Sequence, residues 1–385
     1  IVSVNAKPNA GLDQTICAII PGGVATLNST GVGSWSAQIG NPGTANIVSP
    51  LSSMTQVNNF SSLGVYHFIY TTINNCSDTV SITVNQQTIG SANSQTICSG
   101  QNTNVVLNAT IPSTSFSWTA MQLFGATING YSNCGGACSN SIVQALTNTS
   151  NSSLGVVRYT VIPTAPNGCV GNSFIVDVTV NPIPIVSISN TASCIGLNNG
   201  TAHAEAILGT PAYTYLWSNG LTTADVNGLA PTSYIVTVSD ANGCSSTAST
   251  TIVQQGISSL TAVAGSCNSQ SNNYVLNGSI SLLNPPTTGT LTIHVGANQQ
   301  VFLAPFTSPQ AYSLNGLIAD GLNHVVTATF SDGAQCSTST NFIAPENCIS
   351  GISHIKSFVS ATQTNPFEYN LVYKITVNNN GAVGS

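Results

Sequence analysis

Hydrophobic and polar residues alternate along most of the chain, in short runs separated by Gly, Asn and Pro. Alternation with a period of two, together with many β-branched residues, predicts β-strands, and two such runs joined by a turn predict a β-hairpin. No segment shows a capped helical period, and the stretch 142–146 is too short to hold a helix by itself. We therefore predict an all-β protein with hairpins at 66–72/79–84, 159–162/174–180, 234–239/247–253 and 325–330/337–343.

The hairpins belong to a repeat that becomes visible when positions are counted from the cysteines. Four cysteines each end a short apolar strand and open a unit, namely Cys17, Cys98, Cys194 and Cys267. Four others follow the turn of the last hairpin and close a unit, namely Cys76, Cys169, Cys244 and Cys336. Three units share a Tyr ten residues before the closing cysteine, namely Tyr66, Tyr159 and Tyr234. The same units have a Trp 18, 20 and 23 residues after the opening cysteine, namely Trp35, Trp118 and Trp217. A mid-strand Trp and a Tyr on the penultimate strand are typical of immunoglobulin-like sandwich cores.

The repeat predicts tandem immunoglobulin-like β-sandwich domains in a linear array. The predicted domains are 6–87, 88–182 (with a loop insert), 183–255 and 256–348, joined by connections too short to act as flexible linkers. Residues 1–5, Ile1 to Asn5, match the closing strands at 82–85 and 178–181, so we expect them to close a preceding unit. Residues 349–385 are expected to begin a further, incomplete β domain. The interpretation is a window from a longer array.

The cysteines predict a disulfide framework. In an antiparallel sandwich the end of the first strand and the turn of the last hairpin can lie at the same pole, which predicts the pairs 17–76, 98–169, 194–244 and 267–336. Each bond would close a loop of 50 to 71 residues and contribute about 4 kcal/mol. Cys134 and Cys138 are expected to form a small local bridge, and Cys348 is left over. It either pairs outside this sequence or competes with Cys336 for Cys267. Such cysteine usage indicates an oxidising, extracellular setting.

Composition excludes several classes of partner. Only 4% of the 385 residues are charged, with 4 Lys+Arg against 10 Asp+Glu and a net charge of −6. Four basic residues cannot neutralise several phosphates, so we expect neither nucleic-acid binding nor polybasic docking to a membrane. The sequence has no apolar run long enough for a membrane span and no signal-peptide pattern, so direct membrane insertion of this segment is not expected. With 42% hydrophobic residues, the chain can still bury cores.

Catalytic and metal-binding patterns are not found. The acidic residues are scattered, and no histidine has a motif partner: His67, His203, His294, His324 and His354. Cys134 and Cys138 have no further Cys or His beside them, which argues against zinc. Asp240 and Asp332 lie in turns that supply one carboxylate each, where calcium needs six to eight oxygens, so turn formation explains them better. We expect no catalysis, no metal and no cofactor.

One segment is a candidate binding site. The insert 121–139 carries Phe124, Tyr131 and the Cys134–Cys138 loop, and it is longer than a usual sandwich connection. Aromatic loops pinned by a disulfide suit contact with a glycan or a protein, although local packing is the favoured interpretation.

Unit three resembles a known family. Pro211-Ala-Tyr-Thr-Tyr-Leu-Trp-Ser-Asn-Gly220, Val226-Asn-Gly-Leu229 and Tyr234-Ile-Val-Thr-Val-Ser-Asp-Ala-Asn-Gly-Cys244 resemble the SprB repeat of large surface adhesins of Bacteroidetes-type bacteria, with a departure at 231–233. The segments that end in Cys17 and Cys98 resemble PKD-like and other immunoglobulin-like modules, unit four resembles a companion module, and 373–381 resembles the start of another bacterial surface domain. The resemblance implies type IX secretion and a role in adhesion or gliding motility. Asp78-Thr79-Val80 also resembles the O-glycosylation signal of these bacteria, which makes Thr79 a candidate for modification.

These observations predict a secreted, disulfide-stapled stalk or adhesive filament on a bacterial surface. Its expected partners are other copies or further domains of the same long chain, and a surface glycan or protein. Two alternatives remain open. The chain could be a polymerising subunit that donates Ile1–Asn5 as a strand to the edge of a neighbour. It could also be the spacer region of a secreted carbohydrate-active enzyme whose catalytic domain lies outside this sequence.

Overall fold

The computed structural model describes residues 6–348, 352–365 and 368–379, and every regular element in this part of the chain is a β-strand. The predicted closing strand 1–5 and parts of the predicted further domain 349–385 lie outside the described residues. The chain forms two compact units. The first contains residues 6–185, 207–213 and 239–245, and the second contains the remaining described residues. The prediction of an all-β chain of tandem sandwiches is confirmed.

The first sandwich has two facing sheets. Its strands are β1 Gln14–Ala18, β2 Gly22–Asn28, β3 Gly33–Ala37, β4 Asn46–Ile47, β5 Met54–Phe60, β6 Gly64–Thr72 and β7 Ser77–Gln86. The sheet β1-β7-β6-β3 packs against β2-β5-β4. Between them, the Trp35 ring lies 4.9 Å from that of Tyr70, and Phe60 meets Tyr66 edge to face at 5.0 Å. Alternation of inward apolar and outward polar residues along β6 and β7 produces this core.

The second sandwich is built around a five-stranded sheet. Its strands are β8 Gly90–Ser91, β9 Gln95–Cys98, β10 Val105–Val106, β11 Asn108–Ala109, β12 Ser115–Gly125, β13 Ile128–Asn129, β14 Cys134–Cys138, β15 Ser141–Ile142, β16 Thr147–Asn148, β17 Gly155–Thr164 and β18 Phe174–Asn181. The sheet order is β14-β12-β17-β18-β9, and the remaining strands form two-stranded ladders. The expected insert 121–139 is largely part of this sheet, because β12 continues to Gly125 and β14 pairs back onto β12.

Two three-stranded sheets follow. Their strands are β19 Ile185–Thr191, β21 Gly200–Ile207, β22 Thr214–Trp217, β23 Asp225–Leu229, β24 Ser233–Ser239 and β25 Ser245–Thr251, and the short strand β20 Ser193–Cys194 belongs to a different sheet. The sheets have the orders β19-β21-β23 and β22-β24-β25. Trp217 is buried, and its indole N–H donates to the carbonyl of Thr223 at 2.9 Å.

The last sandwich contains a strand that is shared between neighbouring sheets. Its strands are β26 Gln254–Leu260, β27 Val263–Ala264, β28 Asn273–Leu283, β29 Thr290–Val295, β30 Asn298–Leu303, β31 Gln310–Ile318, β32 Asn323–Phe330 and β33 Ser337–Ile343. The first residues of β26 pair with β20, and its later residues pair with β28. The facing sheet is β30-β29-β32-β33. A hairpin of β34 Ile352–Asn365 and β35 Glu368–Asn379 follows.

All four predicted hairpins are confirmed. The segments that the alternation pattern paired lie in β6/β7, β17/β18, β24/β25 and β32/β33. The six repeated aromatic residues are buried, as the core interpretation requires.

Three of the four opening cysteines lie on a strand that runs parallel to a strand at the end of their unit, whereas Cys267 lies outside the strands. Strand β1 pairs parallel to β7 and places Cys17 opposite Asn85. In the same way, β9 pairs parallel to β18 with Cys98 opposite Asn181, and β20 pairs parallel to β26 with Cys194 opposite Gln255. The opening cysteine therefore lies at the pole where the last strand ends.

The repeated tyrosines tie strands to the loops that precede them. The Tyr66 hydroxyl donates to the carbonyl of Ser62 and accepts from the N–H of the same residue, both at 3.1 Å. Tyr234 likewise donates to the carbonyl of the residue four positions earlier, Ala230, at 3.2 Å. Tyr159 departs from this pattern and donates to Oε1 of Gln144 at 2.7 Å.

We predict that Tyr66→Phe destabilises the first sandwich locally, because it leaves both polar groups of Ser62 without this partner. The expected cost is about 1 kcal/mol, seen as roughly fivefold faster hydrogen–deuterium exchange of the β6 amides. Tyr369→Phe is the control, because Tyr369 is exposed on the last hairpin. Equal exchange rates in the Tyr66 variant and the wild type would show that the Tyr66–Ser62 hydrogen bonds contribute nothing to the stability of this sandwich.

Candidate functional site

Three disulfides of one kind connect successive repeats. Each joins the cysteine that opens one repeat to the cysteine that closes the next: Cys17–Cys169, Cys98–Cys244 and Cys194–Cys336. Their Cα–Cα distances are 5.5, 5.5 and 5.4 Å, within the normal range for a disulfide. We call these three connections the disulfide joints.

The disulfide joints correct the pairing expected from sequence. The pairs 17–76, 98–169, 194–244 and 267–336 are wrong, because they require the opening cysteine to lie at the pole of the last hairpin turn. Cys17 lies beside Asn85 near the end of β7, whereas Cys76 immediately precedes β7. At about 3.3 Å per residue, the two positions are roughly 30 Å apart.

The remaining cysteines complete the correction. Of the two alternatives for Cys348, the one observed is that it takes the place of Cys336 and bonds Cys267, with a Cα–Cα distance of 6.0 Å. Cys76, expected in a disulfide, is a half-buried free thiol. Cys134 and Cys138 are bonded to each other with a Cα–Cα distance of 6.2 Å.

Short turns present the closing cysteines to the joints. Before Cys169, the N–H of Ala165 donates to the Cys169 carbonyl and the N–H of Gly168 donates to the Ala165 carbonyl, both at 2.9 Å. The turn at Asp240, Gly243 and Cys244 repeats these bonds at 2.9 and 3.0 Å. Both glycines have positive φ, at +83° and +76°, which a residue with a side chain adopts only at a cost. The sequence Asn-Gly-Cys in both repeats therefore encodes the turn that orients the thiol.

The first joint is reinforced by amide side chains. The Gln87 backbone N–H donates to the carbonyl of Ala18 at 2.9 Å, and its side-chain amide donates to the carbonyl of Val170 at 3.0 Å. The side-chain amide of Asn167 reaches the carbonyl of Gln86 at 3.4 Å. A neighbouring cavity of about 360 Å³ is lined by Ile19, Ile20, Leu63, Gln86, Gln87, Ile89 and Thr110. Hydrogen bonds therefore hold the two sandwiches of the first unit at the same place as the disulfide.

The second joint involves Asp240, one of the two turn aspartates. Its carboxylate accepts N–H groups of Thr210, Asn242 and Cys244 at 2.9 Å each. The N–H of Gly209 also donates to the carbonyl of Asn151 at 2.6 Å, within the first unit. The carboxylate thus fixes the turn around Cys244. Among the described residues, no group of three or more His, Cys, Asp or Glu side chains could hold a metal ion.

The third joint is organised by the buried side chain of Gln255. Its amide nitrogen donates to the carbonyl of Asn284 at 3.0 Å, and its amide oxygen accepts the N–H of Ala334 at 3.3 Å. The amide of Asn284 in turn donates to the carbonyl of Gln254 at 2.9 Å. A buried amide with these partners fixes the loop that carries Cys336 against β26.

The other candidate residues lie apart from the joints. Thr79 is exposed on β7, next to Asp78. Phe124 is 57% exposed on β12, whereas Tyr131 packs against the core of the second sandwich. The indole N–H of Trp118 donates to the carbonyl of Ser132 at 3.2 Å, so the segment 121–139 covers this buried ring.

Charged side chains form isolated pairs. Arg158 donates two hydrogen bonds of 2.7 Å to Asp177, directly opposite on the neighbouring strand, and these bonds lower the pKa of the Asp177 carboxyl. The backbone N–H of Ala10, followed by Lys7, lowers the pKa of Asp78. Since these carboxyls titrate below their ordinary range, their stabilising effect is complete above that range and is lost as the pH falls through the lowered pKa.

Two histidines contact carboxylates. Nδ1 of His203 lies 2.7 Å from Asp225, and Nε2 of His324 lies 3.0 Å from both carboxylate oxygens of Asp320. Hydrogen bonding from His324 is the main reason that the pKa of Asp320 is lowered. His67 Nδ1 lies 3.1 Å from the Ser81 hydroxyl. These contacts join neighbouring strands and turns.

One segment of the chain is similar to a known family. Residues 95–184, in the second sandwich, match the model of the PKD-like domain family. No curated protein sequence matches the chain. Within the described residues, no helix is long and apolar enough to cross a membrane.

Several solved structures are similar at low identity. Extracellular domains 3–5 of Drosophila OTK are 13% identical, with 65% of this chain and 96% of that chain covered and a TM-score of 0.25. A 1.5-MDa bacterial ice-binding adhesin, from a study of its host cell surface retention, is 14% identical, with 68% and 98% covered and a TM-score of 0.27. The insect immune protein hemolin is 11% identical, with 89% and 100% covered and a TM-score of 0.24.

Sequence reasoning missed the joint residues. Gln-Gln dipeptides at 86–87 and 254–255 precede two units, and one glutamine of each lies in a joint. This repeated dipeptide was a usable signal for polar contacts between units.

We predict that Cys17→Ser releases the thiol of Cys169 and leaves the other disulfides intact. In the 385-residue chain produced alone, under denaturing, non-reducing conditions, maleimide should label two cysteines per chain, Cys76 and Cys169, because only Cys76 is free in the wild-type chain. The loop closed by Cys17–Cys169 has a sequence separation of 152, so its loss should cost about 5 kcal/mol. Cys76→Ser is the matched control, and none of its cysteines should react with maleimide. Label on Cys76 alone in the Cys17 variant would contradict the pairing.

We also predict that Gly333→Ala loosens the third joint. Gly333 has φ +68°, and an added Cβ would collide with Oε1 of Gln255. Gly296→Ala is the matched control, because its φ is +56° and an added Cβ there meets nothing within 4 Å. The control should lose only about 1 kcal/mol of stability, because a side chain at this φ adds backbone strain, and its Cys194–Cys336 bond should be reduced by dithiothreitol as in the wild type. Faster reduction of this bond is expected in the Gly333 variant alone, and equal rates in both variants would refute the role of Gln255.

Proposed function

We propose that this chain is part of an extracellular stalk that bears tension and supports adhesion at a bacterial surface. The observation that carries the proposal is the set of disulfides that join one repeat to the next. Disulfides persist in oxidising compartments, which supports an extracellular location. The match to PKD-like domains at 95–184 supports a modular surface protein.

The disulfides shorten the covalent path along the chain. Between residues 6 and 348, a pulling force passes only through 6–17, 169–194 and 336–348, because two joints bypass the rest. At about 3.4 Å per residue, this path extends to roughly 170 Å, whereas the reduced segment extends to roughly 1,160 Å. Unfolding of a sandwich would therefore lengthen an oxidised stalk very little.

The disulfide loops also overlap along the chain. The loops 17–169, 98–244, 194–336 and 267–348 together enclose every peptide bond between Cys17 and Cys348. A single break in the backbone anywhere in this range leaves both parts covalently connected. Such a stalk retains its load-bearing connection after proteolytic nicking, a property suited to an exposed surface protein.

The finer proposal follows the resemblance to SprB-type adhesins. It comprises export by type IX secretion, a role in attachment or gliding, O-glycosylation at Thr79, and contact with a glycan or protein through the segment around Phe124 and Tyr131. Exposure of Thr79 and Phe124 supports their accessibility. Low charge supports contacts that depend little on salt, because few ionic interactions are available to be screened.

We predict that single-molecule pulling distinguishes the oxidised from the reduced chain. The full chain, held by its ends, should gain less than roughly 200 Å of contour length between residues 6 and 348 when oxidised and more than roughly 1,000 Å after reduction. Cys134→Ser/Cys138→Ser is the control, because this local bond lies off the covalent path. Full extension without reduction would overturn the tension-bearing role.

The adhesive role needs a cellular measurement. In the source bacterium, removal of this protein should reduce attachment to surfaces, and antibodies against residues 6–348 should label intact cells. Unlabelled intact cells, or unchanged attachment and movement, would refute the surface role.

A further inference from the structure

The turn at Cys76 has the same construction as the turns that enter the disulfide joints. The N–H of Thr72 donates to the carbonyl of Cys76 at 3.0 Å, and the N–H of Asn75 donates to the carbonyl of Thr72 at 3.0 Å. These bonds match those of Ala165 with Cys169 and of Asp240 with Cys244. Asn75 has φ +56°, at the position that glycine occupies in both other turns. Cys76 is thus held like a joint cysteine.

The equivalent cysteines are all bonded. Cys169 and Cys244 are fully buried, Cys336 is 5% exposed, and each is linked to an opening cysteine of the preceding repeat. Cys76 is half-buried with a free thiol. Three independent occurrences of the bond in one chain therefore indicate what this position binds.

The surroundings of Cys76 also match an incomplete joint. Asn74 corresponds to Asn167 and Asn242. The Asn167 amide donates across its joint to the carbonyl of Gln86 at 3.4 Å, and the Asn242 amide donates to the Thr210 hydroxyl of its own repeat at 2.8 Å. Asn74 is exposed. Beside it, Ile73 is 77% and Val32 is 74% exposed, and the two are joined by a backbone hydrogen bond of 3.3 Å. This pole of the first sandwich presents a thiol, an amide and two apolar side chains together.

We propose that Cys76 forms a fourth disulfide joint, with the cysteine that ends the first strand of another sandwich domain of this repeat type. The partner domain lies either earlier in the same polypeptide or on a separate chain, and its chemistry is the same in both cases. The two thiols lose two protons and two electrons. A protein disulfide of a thiol oxidoreductase accepts them and becomes a dithiol. The proposal is independent of what the stalk adheres to.

The test maps the cysteines of the native protein isolated from its source. The protein is denatured without reduction, alkylated with N-ethylmaleimide, and cut after Tyr70 with chymotrypsin and before Asp78 with Asp-N, which isolates residues 71–77. Mass spectrometry should find this peptide linked to a peptide that contains a first-strand cysteine of another domain. Maleimide on Cys76, or a small thiol such as glutathione bonded to it, would overturn the proposal.

Counts of free thiols in the chain produced alone and in the native protein test the same joint. The 385-residue chain produced alone in an oxidising compartment should carry one maleimide, on Cys76, and its Cys76→Ser variant should carry none. In the native protein, Cys76→Ser should expose one new thiol, on the partner cysteine, and the absence of a new thiol would also refute the joint. Gels with and without reductant separate the two sources, because only a partner on another chain is released by reduction.

Discussion

The parallel pairing of the opening strand with the closing strand is the constraint on which this structure depends. An antiparallel pair would bring the end of the opening strand back to the last hairpin turn, where a disulfide would staple a single domain. The parallel pairs β1/β7, β9/β18 and β20/β26 send the opening cysteine to the opposite pole instead. Every disulfide joint follows from this one choice of strand direction.

This arrangement changes what the disulfides do. A bond inside one domain stabilises that domain by limiting the freedom of its unfolded chain. A bond between consecutive repeats also makes the two mechanically and covalently interdependent. Because the loops overlap from Cys17 to Cys348, the chain behaves as a covalent ladder in which sandwiches contribute packing and disulfides contribute continuity.

The polar surface suits a covalent ladder. With 4% charged residues, the chain relies on amides and hydroxyls for its surface contacts. At the joints, Gln87, Asn167 and Gln255 satisfy backbone groups without any ion pair. Such contacts keep their geometry over a broad range of pH and salt, since none of these groups titrates. The carboxylates of Asp78 and Asp177, whose pKa values are lowered, lie in local ion pairs apart from the joints.

Local pattern alone determined the strands, the hairpins and the aromatic core, because period-two alternation and the Asn-Gly turns are properties of neighbouring residues. Trp35, Trp118, Tyr66 and Tyr159 were identifiable as core from their spacing to the cysteines. The cysteine pairing was decided only by tertiary structure. Which cysteine Cys17 meets depends on the direction of β1 relative to β7 and on the placement of a turn 152 residues away, and no local pattern records either. Strand formation is governed by adjacent side chains, whereas disulfide partners are chosen by the poles at which distant strands end.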